Sequence, residues 1–141
     1  MMQGVIFGDK HTYRDWGLLE KSRPNISPPR PKLKLIPVPG SDAVIDLTEH
    51  LTGKVHYEPR TIRFEFVTLA DREQWPHLYS DILNTIHGKR IRIIMDDDPN
   101  FYYIGRVSVE NMETEKKTAV LTMTAEVEPY KRERFGEGKC L

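Results

Sequence analysis

The sequence of 141 residues lacks several features that mark large classes of proteins. It has one cysteine, Cys140, which excludes an internal disulfide and a metal site built from cysteines. No apolar run approaches the length of about 20 residues that a membrane-spanning helix needs, so no membrane partner is expected. The N-terminal residues lack the basic-then-apolar layout of a secretory signal. A charge surplus is absent too, since 21 Lys and Arg balance 21 Asp and Glu, which argues against tight binding to nucleic acid.

Proline, in contrast, is abundant in one region of the chain. Six of the ten prolines lie between residues 24 and 39. Because proline lacks an amide donor and has a fixed φ angle, this region is excluded from the interior of a sheet or helix. Alternation at residues 32–36 predicts a short edge strand, residues 39–42 predict a turn, and residues 43–47 predict another brief strand. We therefore expect an extended, stiff, exposed Pro-rich arm at about residues 22–57.

Strand patterns account for much of the remaining chain. The clearest one places Ile62, Phe64 and Phe66 on one face and Arg63 and Glu65 on the other. The last two predicted strands form a long hairpin. The predicted strands outside the arm are residues 5–7, 12–19 with a bulge at Gly17, 61–69, 101–109 and 118–127.

One strong helix is predicted at residues 71–88. Apolar residues recur there at helical spacing, and Asp71 is a candidate N-cap. Pro76 fits because it lies in the first turn, and Gly88 fits the left-handed position that ends a helix. Strands without regular alternation with helices favour antiparallel pairing. The predicted fold class is therefore mainly β with one α-helix (α+β), an antiparallel β-sandwich or small barrel of six or so strands.

Three consecutive carboxylates, Asp96, Asp97 and Asp98, are the first candidates for chemistry. Clusters of oxygen ligands can hold Ca²⁺ or Mg²⁺, but the spacing of an EF-hand loop is missing. Because Pro99 and Asn100 follow, the aspartates are interpreted as a solvated hairpin turn. An alternative is a small metal-dependent hydrolase that uses these aspartates with a histidine.

Other signatures of catalysis are missing from the sequence. No two of the five histidines have the spacing of a zinc protease motif, and His87 beside Gly88 suits a structural role at a helix C-terminus. No Gly-rich phosphate loop or nucleophile elbow is present. The basic runs at residues 89–92 and 131–134 have acidic neighbours, so they are interpreted as solvated faces. The residues predict no enzyme activity, no cofactor and no metal site, and they favour a domain that binds other protein.

A series of short motifs runs along nearly the whole chain, from about residue 3 to residue 131. Their order and spacing together are more specific than any one of them. The motifs are Ile6-Phe7-Gly8-Asp9-Lys10-His11-Thr12-Tyr13, Trp16-Gly17-Leu18, Pro39-Gly40-Ser41-Asp42, Ile45-Asp46-Leu47-Thr48, Tyr57, Arg60, Ile62-Arg63-Phe64-Glu65-Phe66, Trp75-Pro76, Leu78-Tyr79, His87-Gly88-Lys89, Asp96-Asp97-Asp98-Pro99, Tyr102-Tyr103-Ile104-Gly105-Arg106-Val107 and Glu128-Pro129-Tyr130. This set resembles the phage distal tail proteins of prophages in Gram-positive bacteria.

The resemblance implies a structural virion protein with the fold of tail-tube proteins. Distal tail proteins form a hexameric ring that joins the tail tube to the tail-tip hub of the baseplate and often carries receptor-binding proteins. The implied partners are therefore further copies of the chain and other tail proteins, with DNA only as cargo in transit. The implied location is the virion tail, assembled in the cytoplasm of the bacterial host. A tail-tube protein of the same fold is the alternative within this class.

The resemblance also implies a division of the chain. Residues 1–131 correspond to the ring domain, and residues 132–141 form a C-terminal tail. Many family members continue into a second, galectin-like domain, whereas this sequence ends at Leu141. We therefore expect either a one-domain member or the ring domain of a longer protein.

Two sets of residues are candidates for the assembled ring. The first set is apolar and has no clear place in the core, so it is predicted to contact a neighbouring subunit: Val38, Val44, Ile45, Leu47 and Leu51. The second is the turn of Asp96, Asp97 and Asp98, which is predicted to face the lumen, where negative charge would repel passing DNA.

Overall fold

The computed structural model describes residues 3–141, and β-strands dominate it. Two α-helices are present among these residues, α1 (Thr12–Trp16) and α2 (Trp75–Ile86), and a single 3₁₀ turn, Arg72–Gln74, leads into α2. The strands are β1 (Val5–Phe7), β2 (Lys10–His11), β3 (Leu18–Glu20), β4 (Asn25–Ile26), β5 (Leu35–Pro37), β6 (Val44–Asp46), β7 (Arg60–Thr68), β8 (Arg90–Met95), β9 (Phe101–Thr114), β10 (Ala119–Val127), β11 (Lys131–Glu133) and β12 (Lys139–Cys140).

Ten of these strands form one antiparallel sheet with the order β2-β1-β8-β9-β10-β7-β3. The strand β4 also pairs with β7, while β11 pairs with the beginning of β9 and with β12. Although three strands lie between β1 and β7 in this order, the rings of Phe7 and Phe64 on them are only 5.1 Å apart. The sheet therefore curls so that its two ends face each other. The predicted fold class, mainly antiparallel β with one substantial helix, is confirmed.

The core lies inside this curl and follows the alternation of the strands. On β7 the residues Ile62, Phe64 and Phe66 are buried, whereas Thr61 and Arg63 on either side of Ile62 are exposed. From α2, Ile82 and Ile86 join the same core cluster. The predicted strand at residues 61–69 and the apolar face of the predicted helix are therefore confirmed.

The segment before β3 corrects the sequence prediction. Residues 12–19 were expected to form one strand with a bulge at Gly17, but the structure has helix α1 there and only then a strand. His11 caps this helix, because its Nδ1 accepts hydrogen bonds from the amides of Tyr13 (3.1 Å) and Arg14 (3.2 Å). Asp15 accepts from the His11 amide in return, at 2.7 Å. Gly17 has a φ of 65° and ends the helix, so its role is a C-terminal cap and not a bulge.

The ends of α2 agree with prediction except at Asp71. That residue precedes the 3₁₀ turn, and its side chain makes no capping hydrogen bond. Pro76 lies in the first turn of α2, and Gly88 has the predicted left-handed conformation with a φ of 75°. No helix among residues 3–141 is long and apolar enough to cross a membrane.

Candidate subunit interface

The arm, residues 22–57, contains no buried residue. Its root is attached to the sheet, since β4 pairs with β7 through Asn25↔Arg63 and Ile26↔Ile62. Further out, the two limbs of the arm run side by side, because the Lys32 amide donates to the His56 carbonyl at 2.8 Å. At its far end β5 and β6 pair only with each other among the described strands, as a separate two-stranded sheet. The arm is therefore an ordered extension whose tip packs on no other sheet of the described chain.

The apolar residues predicted to form an interface lie in the outer part of this arm. Val44 is 56% exposed, Ile45 50% and Leu51 81%, while Val38 and Leu47 are half-buried. The register Ile36↔Ile45 and Pro37↔Val44 places Ile45 and Val44 on opposite faces of the hairpin. Both faces thus present apolar surface to water. An isolated two-stranded hairpin is marginally stable at best, so a partner that covers either face would stabilise it.

Three further exposed residues belong to the same surface and were absent from the predicted set. They lie on the limb that leads into and forms β5: Leu33, Leu35 and Ile36. The alternation at residues 32–36 predicted a strand there, and this prediction agrees with β5 at its last two residues. The alternation did not indicate that, among the described strands, this strand pairs only with its own hairpin partner.

The root of the arm is held by a buried arginine. Arg60 donates hydrogen bonds to the carbonyls of Ser27 (2.9 Å), Pro129 (3.2 Å) and Leu141 (3.4 Å). The ring of Tyr57 also meets the ring of Tyr130 edge-on, with centroids 6.1 Å apart. The Arg60 side chain thereby joins the beginning of the arm, the segment after β10 and the C-terminal residue. This arrangement fixes the direction in which the arm leaves the sheet.

The acidic turn between β8 and β9 is confirmed as a turn, but its three aspartates are not simply solvated. Asp96 Oδ2 accepts from His11 Nε2 at 2.8 Å and from the amide of Gly4 at 2.9 Å. Asp97 forms an ion pair with Arg23, and Asp98 forms one with Lys131 at 2.7 Å. These partners come from three separate segments of the chain. The turn is therefore a junction that ties those segments to the β8–β9 hairpin.

These pairs bear on the two functional predictions for the turn. Among residues 3–141 no three His, Cys, Asp or Glu side chains are grouped so that they could hold a metal ion, so the geometry gives no support to the hydrolase alternative. Asp97 and Asp98 each face a cationic group of their own chain, which offsets their charge. Whether the turn faces a lumen depends on the assembly and stays a prediction.

Replacing Glu20 by glutamine should raise the free energy of unfolding at about pH 7 by a few tenths of a kcal/mol. Burial first, and then the charges of Asp97 and Asp96, raise the pKa of the Glu20 carboxyl. A carboxyl whose pKa is higher in the folded state than in the unfolded state destabilises the folded state once the pH rises above its unfolded pKa. The gain from Glu20→Gln should therefore vanish at about pH 3, below both pKa values. Urea unfolding at both pH values measures this gain. The control Glu113→Gln, at an exposed site, should leave the free energy of unfolding unchanged at both pH values. A loss of stability in Glu20→Gln at pH 7 contradicts the expectation.

The remaining candidates have structural roles. His87 Nδ1 accepts from the Val109 amide at 2.9 Å, which links the end of α2 to β9. Arg90 and Arg132, from the two basic runs, each donate to the Glu128 carboxylate at 2.8 Å. Burial opposes but does not outweigh these two bonds, so the pKa of Glu128 is lowered. Cys140 is exposed on β12, within residues that were predicted as a tail and that form a short hairpin with β11.

Comparisons with known proteins bear on the fold. No protein-family model and no characterised protein sequence matches the chain. A similar solved structure is the crystal structure of the Dit (gp 19.1) protein of SPP1, described as a paradigm of the hub adsorption apparatus in phages that infect Gram-positive bacteria. The two superpose with a TM-score of 0.64 at 12% sequence identity, over 94% of this chain and 53% of that one. The fold is similar to that of a phage hub protein. This chain spans about half the length of that neighbour, and at this identity the likeness concerns the fold alone.

Proposed function

We propose that the protein is a structural, non-enzymatic component of a phage tail. The observation that carries the proposal is the likeness in fold to the SPP1 hub protein over 94% of the chain. The motif resemblance to distal tail proteins points to the same role from the sequence. On this proposal the protein forms a hexameric ring that joins the tail tube to the tail-tip hub.

The arm supports assembly into a closed ring. A subunit in a cyclic ring contacts its two neighbours through two different surfaces, so each subunit needs one projecting surface and one receiving surface. The arm is exposed along its length and presents Val44, Ile45 and Leu51 to solvent. Because its hairpin is already ordered, less conformational entropy is lost when it docks. The arm is the projecting surface on this proposal.

Other tail proteins complete the proposed setting. The tube would bind one side of the ring and the tail-tip hub the other, with receptor-binding proteins at the periphery and DNA passing through. The chain has zero net charge, which is consistent with a channel through which DNA passes without binding tightly. The proposed location is the virion tail after assembly in the host cytoplasm.

Replacing Ile45 and Leu47 together by aspartate should convert the assembled protein to monomers. Two carboxylates on the apolar hairpin would have to be buried without partners, at a cost of several kcal/mol, if the arm docked as before. Light scattering during size-exclusion chromatography measures the mass. Leu69→Asp is the matched control, because Leu69 is about as exposed as Ile45 but lies outside the arm. An unchanged oligomer in the double variant would show that the arm does not hold the ring together.

Negative-stain microscopy of the purified protein separates the candidate functions. Single six-fold rings are expected for a distal tail protein. Long stacked tubes would instead indicate a tail-tube protein, which shares the fold. A monomer at every concentration would refute both.

A further inference from the structure

We propose that the exposed edge of β9 at residues 110–114, with the groove between it and the start of α2, receives strand β6 of the arm from a second copy of the chain. This inference rests on the proposed function and names the receiving surface that a ring requires. We call this surface the edge groove. Its walls are formed by Arg72, Trp75, Pro76 and Tyr79 on one side and by Met112 and Thr114 on the other.

The first observation is that β9 is longer than its partner on one side. β8 pairs with β9 from Ile93↔Tyr103 to Arg90↔Arg106, and the amide of Val109 is taken by His87. Beyond Val109, only β10 pairs with β9 among the described strands. The last residues of β9 therefore have one paired edge and one free edge.

The direction of the free backbone groups follows from the hairpin turn. The Glu115 amide donates to the Thr118 carbonyl at 2.8 Å, toward β10. Backbone groups of successive strand residues point to alternate sides, so those of Glu113 also point toward β10. The amides and carbonyls of Met112 and Thr114 thus point outward, into the edge groove. Two donors and two acceptors are presented at a spacing of two residues.

The arm offers the complementary set. The Leu47 amide donates to the Lys34 carbonyl at 2.8 Å and the Val38 amide to the Ala43 carbonyl at 3.2 Å, both between the two limbs of the hairpin. By the same alternation, the backbone groups of Val44 and Asp46 point away from β5. The free edge of β6 therefore matches the free edge of β9 in number and spacing. On the other edge of the hairpin Pro37 has no amide to donate, which leaves β6 as the strand able to pair.

Charge and apolarity agree with this pairing. Arg72 forms no salt bridge with any residue in the 3–141 range, and it lies on the wall of the edge groove. The carboxylate of the groove, Glu110, is 3.6 Å from Arg63, which offsets its charge. Asp46 is an exposed carboxylate on β6, and its hydrogen bonds from Thr48 lower its pKa, so it is ionised at neutral pH. Val44 shares a face with Asp46 and would meet the apolar wall of Trp75, Pro76 and Tyr79, none of them charged.

The arm of the same chain is a poor candidate for this site. The arm leaves the sheet where Arg60 of β7 pairs with Val127, at the end of β10. The edge groove lies beside the other end, where Ala119 pairs with Thr114. β10 is nine residues long, so the two places are about 27 Å apart along the strand. Projecting and receiving surfaces at opposite ends of one sheet give head-to-tail contacts between copies, as a ring requires.

Disulfide trapping tests the contact in the assembled protein. In a Cys140→Ser background, Val44→Cys is combined with Met112→Cys or with Thr114→Cys, and the purified protein is oxidised. Cross-linked multimers up to the hexamer are expected on a non-reducing gel, because opposite residues of paired strands lie within disulfide range. The matched control combines Val44→Cys with Ser108→Cys. Ser108 is exposed and pairs with Thr124 of β10, while on the other edge the amides of its neighbours Val107 and Val109 donate to Lys89 and His87. This control should give at least tenfold less cross-linked product than the Val44→Cys pairs with Met112→Cys or Thr114→Cys.

Charge reversal gives a second measurement that does not depend on cysteine geometry. Arg72→Glu and Asp46→Arg should each raise the concentration needed for half-assembly about tenfold, and the double variant should restore it. Six-fold rings without specific cross-links or charge rescue overturn this inference and leave the proposed function standing. Specific cross-links in open chains with no six-fold closure support the inference and refute the ring. A monomer at all concentrations, with no cross-links, overturns both.

Discussion

Replacing Phe64 by alanine should lower the free energy of unfolding by about 4 kcal/mol. Phe64 is fully buried near the middle of β7. Its ring meets Phe7 edge-on with centroids 5.1 Å apart and lies nearly parallel to Phe66 at 6.1 Å. Deleting the ring removes these contacts and leaves a cavity where the two ends of the curled sheet meet, so neighbouring side chains can close it only in part.

Chemical denaturation of the variant and the parent measures this loss. Thr61→Ala is the matched control, since Thr61 lies on the same strand but points outward and is exposed; its change should stay within about 0.5 kcal/mol. Phe64→Leu should fall between the two, because it retains part of the apolar volume. A loss below about 1.5 kcal/mol in Phe64→Ala would mean that the two ends of the sheet do not depend on this contact.

The position of Phe64 was predictable because its signal is local. Alternation over nine residues at β7 and helical spacing along α2 both depend on neighbours in sequence. Two strands of two residues, β2 and β4, were missed for the converse reason, because they are too short for a periodicity to show. The position of β4 is decided by its pairing with the distant strand β7. Helix α1 depends on a histidine cap, whereas Ser, Thr, Asp and Asn are the residues that usually signal one.

The candidate sites also differ in whether neighbouring residues in the sequence indicate them. The apolar residues of the arm were predicted to have no place in the core, and the exposure of Val44, Ile45 and Leu51 agrees with that argument. The partners of the acidic turn were not predictable. Asp96 and Asp97 meet residues 85 and 74 positions away, and no local pattern connects such pairs. The edge groove also arises from tertiary structure, because only the pairing shows that β8 stops before β9 does.

Replacing Gly105 by alanine should lower the free energy of unfolding by about 3 kcal/mol or more and the melting temperature by about 10 °C. Gly105 lies in β9 between Ile91 of β8 and Val127 of β10. A Cβ atom there would collide with the carbonyl oxygen of Glu126 and lie 2.5 Å from the Cα of Val127. Both obstacles are backbone, held by strands on each side, so the sheet would have to separate locally to admit one methyl group.

The effect of Gly105→Ala is expected to be large because backbone atoms would have to move. A second glycine provides the control, since there only a side chain would have to move. Gly136→Ala would also place a Cβ against a neighbour, but the neighbour is the carboxylate of Glu133, the end of an exposed and flexible side chain. Its stability should change by less than about 0.5 kcal/mol. Thermal unfolding followed by circular dichroism compares the two variants with the parent. Equal melting temperatures for Gly105→Ala and Gly136→Ala would contradict the close approach of β9 and β10 at this position. A large difference would show that the absence of a side chain at residue 105 permits the close approach of β9 and β10 at this position.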